Sequence, residues 1–249
     1  MEQEPGNIDA GEVARFAAKA DQWWDRHGPY KALHAINPVR IDYIRARAEL
    51  SAGRVLDVGC GGGLLAEAMA AVGGAVTAID VAGSCLAVAR QHAASSGLDI
   101  AYHQSTAEAW VRDHASAYDV VTCMELVEHV PHPSLLVEAC GQLVRPGGDI
   151  FFATINRTWL ARLLVIWIAE YLLSIVPRQT HTYAKFVRPR ELIRWGDHAG
   201  LGLENLTGLR YNPLVGKAAL SRQTAMNYLI HFKKIESRRN DTRRDSPLV

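Results

Sequence analysis

A chain of 249 residues, 49% hydrophobic with a formal net charge of +1, can bury one substantial core with additions. Its charge gives no global reason to expect a nucleic-acid partner. Cys60, Cys85, Cys123 and Cys140 show no paired metal-ligand spacing and no signal-peptide pattern opens the sequence, so the cytoplasm is the expected setting.

In chain order, the first predicted element is an amphipathic helix over Phe16 to Asp25 carrying Trp23 and Trp24. It either covers a cleft or packs on the core. Arg40 falls in a second segment expected to be helical, ahead of the first strand. Ser51 to Val58 then enters that strand, Leu64 to Val72 is helical, Ala75 to Ile79 is the second strand, and Ser84 to Ser95 is helical again. Ile100 to His103 is a short third strand. Tyr118 to Met124 is the fourth, apolar throughout as a strand covered on both faces should be. A helical turn is expected over Leu126 to Val130, ended by Pro131, which would put Glu125 on one face with Glu128 and His129 at i+3 and i+4. Ser134 to Leu143 is helical, Arg145 to Gly148 turns, and Asp149 to Thr154 is the fifth strand. Alternation of this kind predicts an α/β fold, a doubly wound and mostly parallel sheet with ligands at the carboxyl ends of its strands.

The turn after the first strand carries the strongest ligand signal. Gly59, Gly61 and Gly63 form G-x-G-x-G, where positive φ and close ligand approach are both open to glycine. The dinucleotide fingerprint needs its third glycine one position later, where Leu64 stands, so a diphosphate cofactor loses support. S-adenosylmethionine, with a sulfonium amino acid in place of the diphosphate, fits better. Asp80 stands 21 residues after Gly59, at a strand tip, where its carboxylate can accept from both ribose hydroxyls.

Past the fifth strand, Trp159 to Val176 is an 18-residue apolar run interrupted by Arg162 and Glu170. Its length approaches a membrane span, but two charges at mid-bilayer argue against spanning. The expected roles are a helix lying on the membrane surface or roofing the site, against a plain buried helix. Lys233 to Arg244 collects six basic residues and is expected to be a solvated, mostly disordered tail, with anionic lipid as the alternative. The organisation expected is a helical cap over 1–50, a catalytic domain over 51–232 with an apolar insertion at 155–185, and a basic tail over 233–249.

The series V-L-D-V-G-C-G-G-G, I-D, Y-D-V-V-T-C-M-E, E-H-V-P and L-V-R-P-G-G-D, from Arg54 to Thr154, resembles the class I S-adenosylmethionine-dependent methyltransferases. Asn37 to Arg40, Val121 to Pro131, Asn156-Arg157, Thr180-His181 and Gly208 to Pro213 extend the likeness from Phe16 to Phe232. They are similar to one family within that class, the ubiquinone biosynthesis O-methyltransferases. The resemblance implies methylation of a hydroxyl on a polyprenyl catechol or hydroxyphenol, a lipid-held substrate met at the inner face of a membrane, with other enzymes of the pathway as further partners. It implies Arg40, Gly59, Gly61, Asp80 and Met124 as cofactor contacts, with Arg40 pairing the methionine carboxylate. Where many relatives of the class place an acid against adenine this chain has Thr106, so backbone or Glu108 is expected there. His181, Lys185 and Tyr211 would lie near the substrate mouth.

A phenol ionises near pH 10, so at neutral pH it needs a base or a cation. Three readings of Glu125, Glu128 and His129 stand at this point: His129 as general base with a carboxylate fixing its tautomer, the three side chains holding Mg²⁺ against a catecholate as the resemblance suggests, or a structural role.

Overall fold

A computed structural model describes residues 6–158 and 186–236. Eight strands form one sheet: β1 (Arg54–Val58), β2 (Ala75–Asp80), β3 (Ala101–Gln104), β4 (Tyr118–Met124), β5 (Val144–Ile155), β6 (Leu201–Asn212), β7 (Lys217–Ser221) and β8 (Asn227–Lys234). Their spatial order is β3-β2-β1-β4-β5-β8-β6-β7. The first five are parallel to one another, whereas β8 pairs antiparallel with β5 and β6, and β7 antiparallel with β6. The predicted doubly wound, mostly parallel sheet is therefore present, closed on one side by an antiparallel edge.

Among the described residues the helices are α1 (Ala10–Ala17), α2 (Lys31–Arg45), α3 (Leu64–Ala70), α4 (Gly83–Ser95), α5 (Ala107–His114), α6 (Pro133–Leu143) and α7 (Pro189–His198). Neighbouring strand residues point to opposite faces, so each face receives its own helical layer. Val55, Val120 and Phe151 pack with Tyr43 and Ile44 of α2, Leu65 and Met69 of α3 and Leu86 of α4. Leu56, Val121 and Phe152 pack with Leu136 and Leu143 of α6 and Leu192 of α7 on the other. The chain turns back between β1, which runs on to β2, and β4, which lies on its far side. That reversal opens a crevice at the strands' carboxyl ends.

The N-terminal segment departs from the sequence expectation. In place of one helix over Phe16 to Asp25, α1 ends at Ala17 and a 3-10 turn over Ala20–Gln22 follows. The break lets Trp23 turn inward, where it is 7% exposed and packs at a tilt against Tyr30, 4.2 Å between ring centres. The catalytic unit also runs two residues further than expected, since β8 ends at Lys234. The apolar run Trp159 to Val176, His181, Lys185 and most of the basic tail lie outside the described residues. Among those described, no helix is long and apolar enough to cross a membrane.

Candidate active site

A cavity of about 380 Å³ lies at the carboxyl ends of β1, β2 and β4, roofed by α1 and the segment leading into α2. Its lining includes the expected Arg40, Gly59, Gly61, Asp80, Met124, Glu125, Glu128 and His129.

At one end is the glycine turn. Gly59, Gly61 and Gly63 all have positive φ, at 71°, 53° and 88°, a region costly for any residue with a Cβ. Much of the demand for glycine comes from the protein itself. A Cβ on Gly61 or Gly62 would lie 2.2 Å from the Trp23 ring, and one on Gly59 would meet the Leu126 side chain at 2.7 Å. Trp24 adds a hydrogen bond from Nε1 to the Gly62 carbonyl at 2.9 Å. The cap thus rests directly on the turn.

Asp80, at the tip of β2, accepts from the backbone N–H of Gly61 at 2.9 Å and of Ala82 at 2.8 Å. Burial raises its pKa, and these N–H groups offset part of that. Beneath it, Asp57 is fully enclosed and accepts from Thr122 Oγ1 at 2.7 Å. Burial outweighs that hydrogen bond and the nearby Arg40 charge, and the carboxyl is pushed up to about 7. Thr106 caps α5, accepting from the Ala109 N–H at 3.1 Å, and Glu108 accepts from Asn7 Nδ2 at 2.8 Å. Both still line the cavity.

Arg40 reaches the same cavity because α2 is pinned to the start of α3, where Asn37 Nδ2 donates to the Leu64 carbonyl at 2.8 Å. One turn on from that anchor, Arg40 is 5% exposed. Its guanidinium pairs with Glu125 at 2.6 Å, while its Nε is buried without a partner. A buried donor with no acceptor is costly, so the group is short of one anion.

Glu125 does not share a helical face with Glu128 and His129. It has a left-handed backbone, φ 54°, and its N–H still donates to Ala153 at 2.8 Å, extending the β4–β5 pairing by one residue. A short 3-10 turn over Val127–His129 follows in place of the predicted turn over Leu126 to Val130. The three side chains consequently diverge. Glu125 goes to Arg40. Glu128, 4% exposed, turns under the site to accept from Thr154 Oγ1 at 2.6 Å, its second oxygen buried without a partner. His129 points up to α1, with Nδ1 3.0 Å from Glu12 and its ring edge-on to Phe16 at 5.2 Å.

That divergence does not suit the expected Mg²⁺ site. Glu125 would have to leave Arg40 and His129 would have to leave Glu12 before the three could meet at one cation. Among the described residues no three His, Cys, Asp or Glu side chains gather to hold a metal ion.

Burial and the charge of Glu125 push the Glu128 carboxyl up to about 7, against the lowering influence of His129 and Thr154. For His129, burial acts to lower the pKa, but the hydrogen bond it donates to Glu12 and the charges of Glu128 and Glu12 outweigh it, and the net shift is upward. Met124 ends β4 largely buried in the cavity wall. Tyr211, expected near the substrate mouth, is partly buried and packs on the core cluster that includes Tyr43 and Ile44 of α2.

Trp23, in the segment expected to cover a cleft or pack, lines the cavity, and so do Asn7, Glu12, Phe186 and Asn227, none of which carries a signal in the sequence. Only Asp57 carried a local signal, an acid inside the strand that leads into the glycine turn.

Comparison with known proteins agrees with this arrangement. A family model described as a methyltransferase domain matches residues 24–206. A curated ubiquinone biosynthesis O-methyltransferase of Aromatoleum aromaticum is 49% identical over 93% of this chain and 99% of its own length. One from Pseudomonas entomophila is 50% identical over 92% and 99%. Among solved structures, the magnesium protoporphyrin IX methyltransferase of Synechocystis PCC 6803 with bound SAH superposes with a TM-score of 0.66 at 15% identity, covering 91% of this chain and all of that one, a likeness of fold.

Proposed function

The chain belongs to the ubiquinone biosynthesis O-methyltransferases, and from that premise we propose how its cavity carries out S-adenosylmethionine-dependent O-methylation. The acceptor we propose is a hydroxyl of a polyprenyl catechol or hydroxyphenol, the head group of a lipid.

The observation that carries this reading is the content of one cavity: a glycine turn with Asp80 at one end, and Arg40, Glu125 and His129 at the other. S-adenosylmethionine supplies an electrophilic methyl group on a sulfonium. Asp80 suits the ribose hydroxyls, which its carboxylate accepts as it now accepts two backbone N–H groups. Arg40, with a buried Nε lacking an acceptor, suits the methionine carboxylate. Gly59 and Gly61 give the floor between them a backbone surface, with Leu126 and Trp23 seated where their side chains would stand, and Met124 closes it.

At the other end, the acceptor hydroxyl must lose a proton as its oxygen attacks. His129 lines the cavity with Nδ1 engaged by Glu12, which leaves Nε2 to take that proton. A positioned base of this kind contributes about 10²–10⁴-fold, and holding the reacting atoms in line about 7–11 kcal/mol. Glu128, held by Thr154 below the turn, supports the imidazolium that results.

A polyprenyl tail stays in lipid, so the enzyme must come to the membrane. The apolar run Trp159 to Val176, with aromatic residues suited to an interface, is the segment proposed to lie on the membrane's inner face. Deleting residues 159–174 is expected to abolish liposome pelleting while leaving cofactor binding intact. Pelleting that survives the deletion refutes this role.

The deciding experiment is transfer of labelled methyl from S-adenosylmethionine to a short-chain prenyl catechol in detergent, with chelator or added Mg²⁺. Labelled methoxy product indifferent to chelator is expected. Loss of product with chelator, restored by Mg²⁺, would replace His129 with the cation. Tight cofactor binding without product would exclude the proposed acceptor.

A further inference from the structure

Away from the cavity, the hairpin of β6 and β7 presents a surface that folding alone does not explain. Its two strands pair from Gly208 with Ser221 to Asn212 with Lys217. β6 leaves its other neighbour earlier: its last pair with β8 joins Leu209 to Asn227, and Asn227 in turn faces Ile155 at the carboxyl end of β5. Ile155 and Asn227 both line the cavity. The hairpin therefore overhangs the sheet by the length of Arg210, Tyr211 and Asn212, about 10 Å, at the end where the cavity lies. A tip over residues 213–216 extends it further.

The tip is a fixed turn. Asn212 Oδ1 accepts from the Leu214 N–H at 3.0 Å, Pro213 restricts its own φ, and Gly216 takes a φ of 61°. What the turn presents is apolar, with Leu214 93% and Val215 61% exposed. Turns favour Gly, Pro, Asn, Asp and Ser, and two side chains this far out add nothing to the core. Behind them stand Arg210 and Lys217, both exposed. No acidic residue occurs in the sequence between Glu204 and Glu236.

We propose that this tip is a second membrane contact, with Leu214 and Val215 entering an anionic lipid surface and Arg210 and Lys217 meeting its phosphates. The inference rests on the reading of the acceptor as the head group of a lipid.

Apolar side chains gain by leaving water for the acyl boundary, and a cation beside an anionic leaflet adds an attraction that salt screens. Two side chains do not anchor a protein alone, since stable attachment takes two signals. The tip therefore adds to the apolar run Trp159 to Val176, each contact raising the effective concentration of the other. Because it leaves the sheet on the cavity's side, the tip also sets which end of the enzyme faces the lipid. A head group at the bilayer surface then meets the end that holds the cavity, and its tail stays in lipid. The competing occupant is a second copy, because β7 is an open sheet edge. A two-fold pairing through the tip would bring Arg210 and Lys217 of both copies together without an acid between them, and that favours lipid.

The test uses the full chain. Its four native cysteines are buried, so Leu214→Cys offers one accessible thiol for an environment-sensitive fluorophore. On vesicles of phosphatidylcholine and phosphatidylserine, emission from position 214 is expected to brighten and shift to the blue. The same label in Ala94→Cys, exposed near the end of α4 on the far side of the sheet, is expected to stay as in water. Leu214→Ser with Val215→Ser should bind these vesicles about 10–100-fold more weakly. Arg210→Gln with Lys217→Gln should bind about 10-fold more weakly, a difference that fades in high salt or on phosphatidylcholine alone. Methyl transfer to a short-chain catechol in solution is expected to be unchanged in both variants, and transfer to a long-chain polyprenyl catechol held in the vesicles to fall with binding. A label at 214 that stays in water on vesicle-bound protein, or a serine variant that binds as tightly as wild type, overturns the contact. A wild-type dimer that dissociates in the serine variant, with vesicle binding unchanged, gives the tip to a second copy and overturns it equally. Wild type that methylates neither catechol overturns the acceptor reading instead, and the fluorescence still decides the tip.

Discussion

Replacing Glu128 with glutamine is expected to make the protein more stable at pH 8 and leave it unchanged near pH 4. The carboxyl is raised from an ordinary 4.5 to about 7 by burial and by Glu125. A raised acid binds its proton in the folded state where the unfolded chain has already released it. Between those two pH values the native state holds more protons, so stability falls as pH rises. The interval of about 2.5 pH units corresponds to roughly 3 kcal/mol, fully present as a cost above pH 7 and absent below about 4.5. Glutamine resembles the neutral carboxyl, keeping an oxygen for Thr154, and is neutral in both states. For a chain of this size roughly 3 kcal/mol is about 6–12 °C in Tm. Urea titrations of both proteins at several pH values, followed by circular dichroism, measure the difference directly. A gap that does not widen between pH 4.5 and 7, or a variant less stable at pH 8, refutes the claim that Glu128 is enclosed at an energetic cost. The same variant is expected to turn over more slowly, which would mark that cost as functional.

Arg40→Met leaves Glu125 unpaired and deprives the cofactor carboxylate of its cation, so calorimetry should register S-adenosylmethionine binding about 10–100-fold weaker. Asp80→Asn loses the charged acceptor at the tip of β2, and a smaller loss of cofactor affinity is expected, with the thermal midpoint changing little. Trp23→Ala empties a buried ring site and should cost about 3–5 kcal/mol in denaturant titration. Gly61→Ala forces a Cβ onto the Trp23 ring at a positive φ; combined with Trp23→Ala it is expected to cost less than the two separate losses summed.

The parts legible in sequence are those whose signal is local and repeated. The parallel strands are short apolar runs bounded by turn residues, and the apolar run Tyr118 to Met124 coincides with β4 at both ends. The ligand end of the sheet followed from topology alone, which is why Gly59, Asp80 and Met124 fell in the cavity. What stayed hidden depended on tertiary contact. A single left-handed residue, Glu125, redirects the whole E-x-x-E-H stretch, and nothing in the residue type announces that φ, since glutamate seldom adopts it. The break between α1 and Trp23 was masked by apolar spacing that also suits a continuous helix; packing of Trp23 on the glycine turn overrides it. Glu12 meets His129 only because the cap folds back across the sheet, a pairing beyond the reach of any local window.

The contact of Trp23 with Gly61 and Gly62 ties the history of two distant parts of the chain together. A glycine-rich turn in this class is usually regarded as the signature of the cofactor, yet here two of its glycines are also the seat of an indole from the cap. A lineage that lost the tryptophan would be released to place small side chains at position 62, and one that gained such a side chain would have to surrender the tryptophan first. Among relatives the two features should therefore vary as one character, and engineered exchange of caps between homologues should succeed only when the turn travels with them.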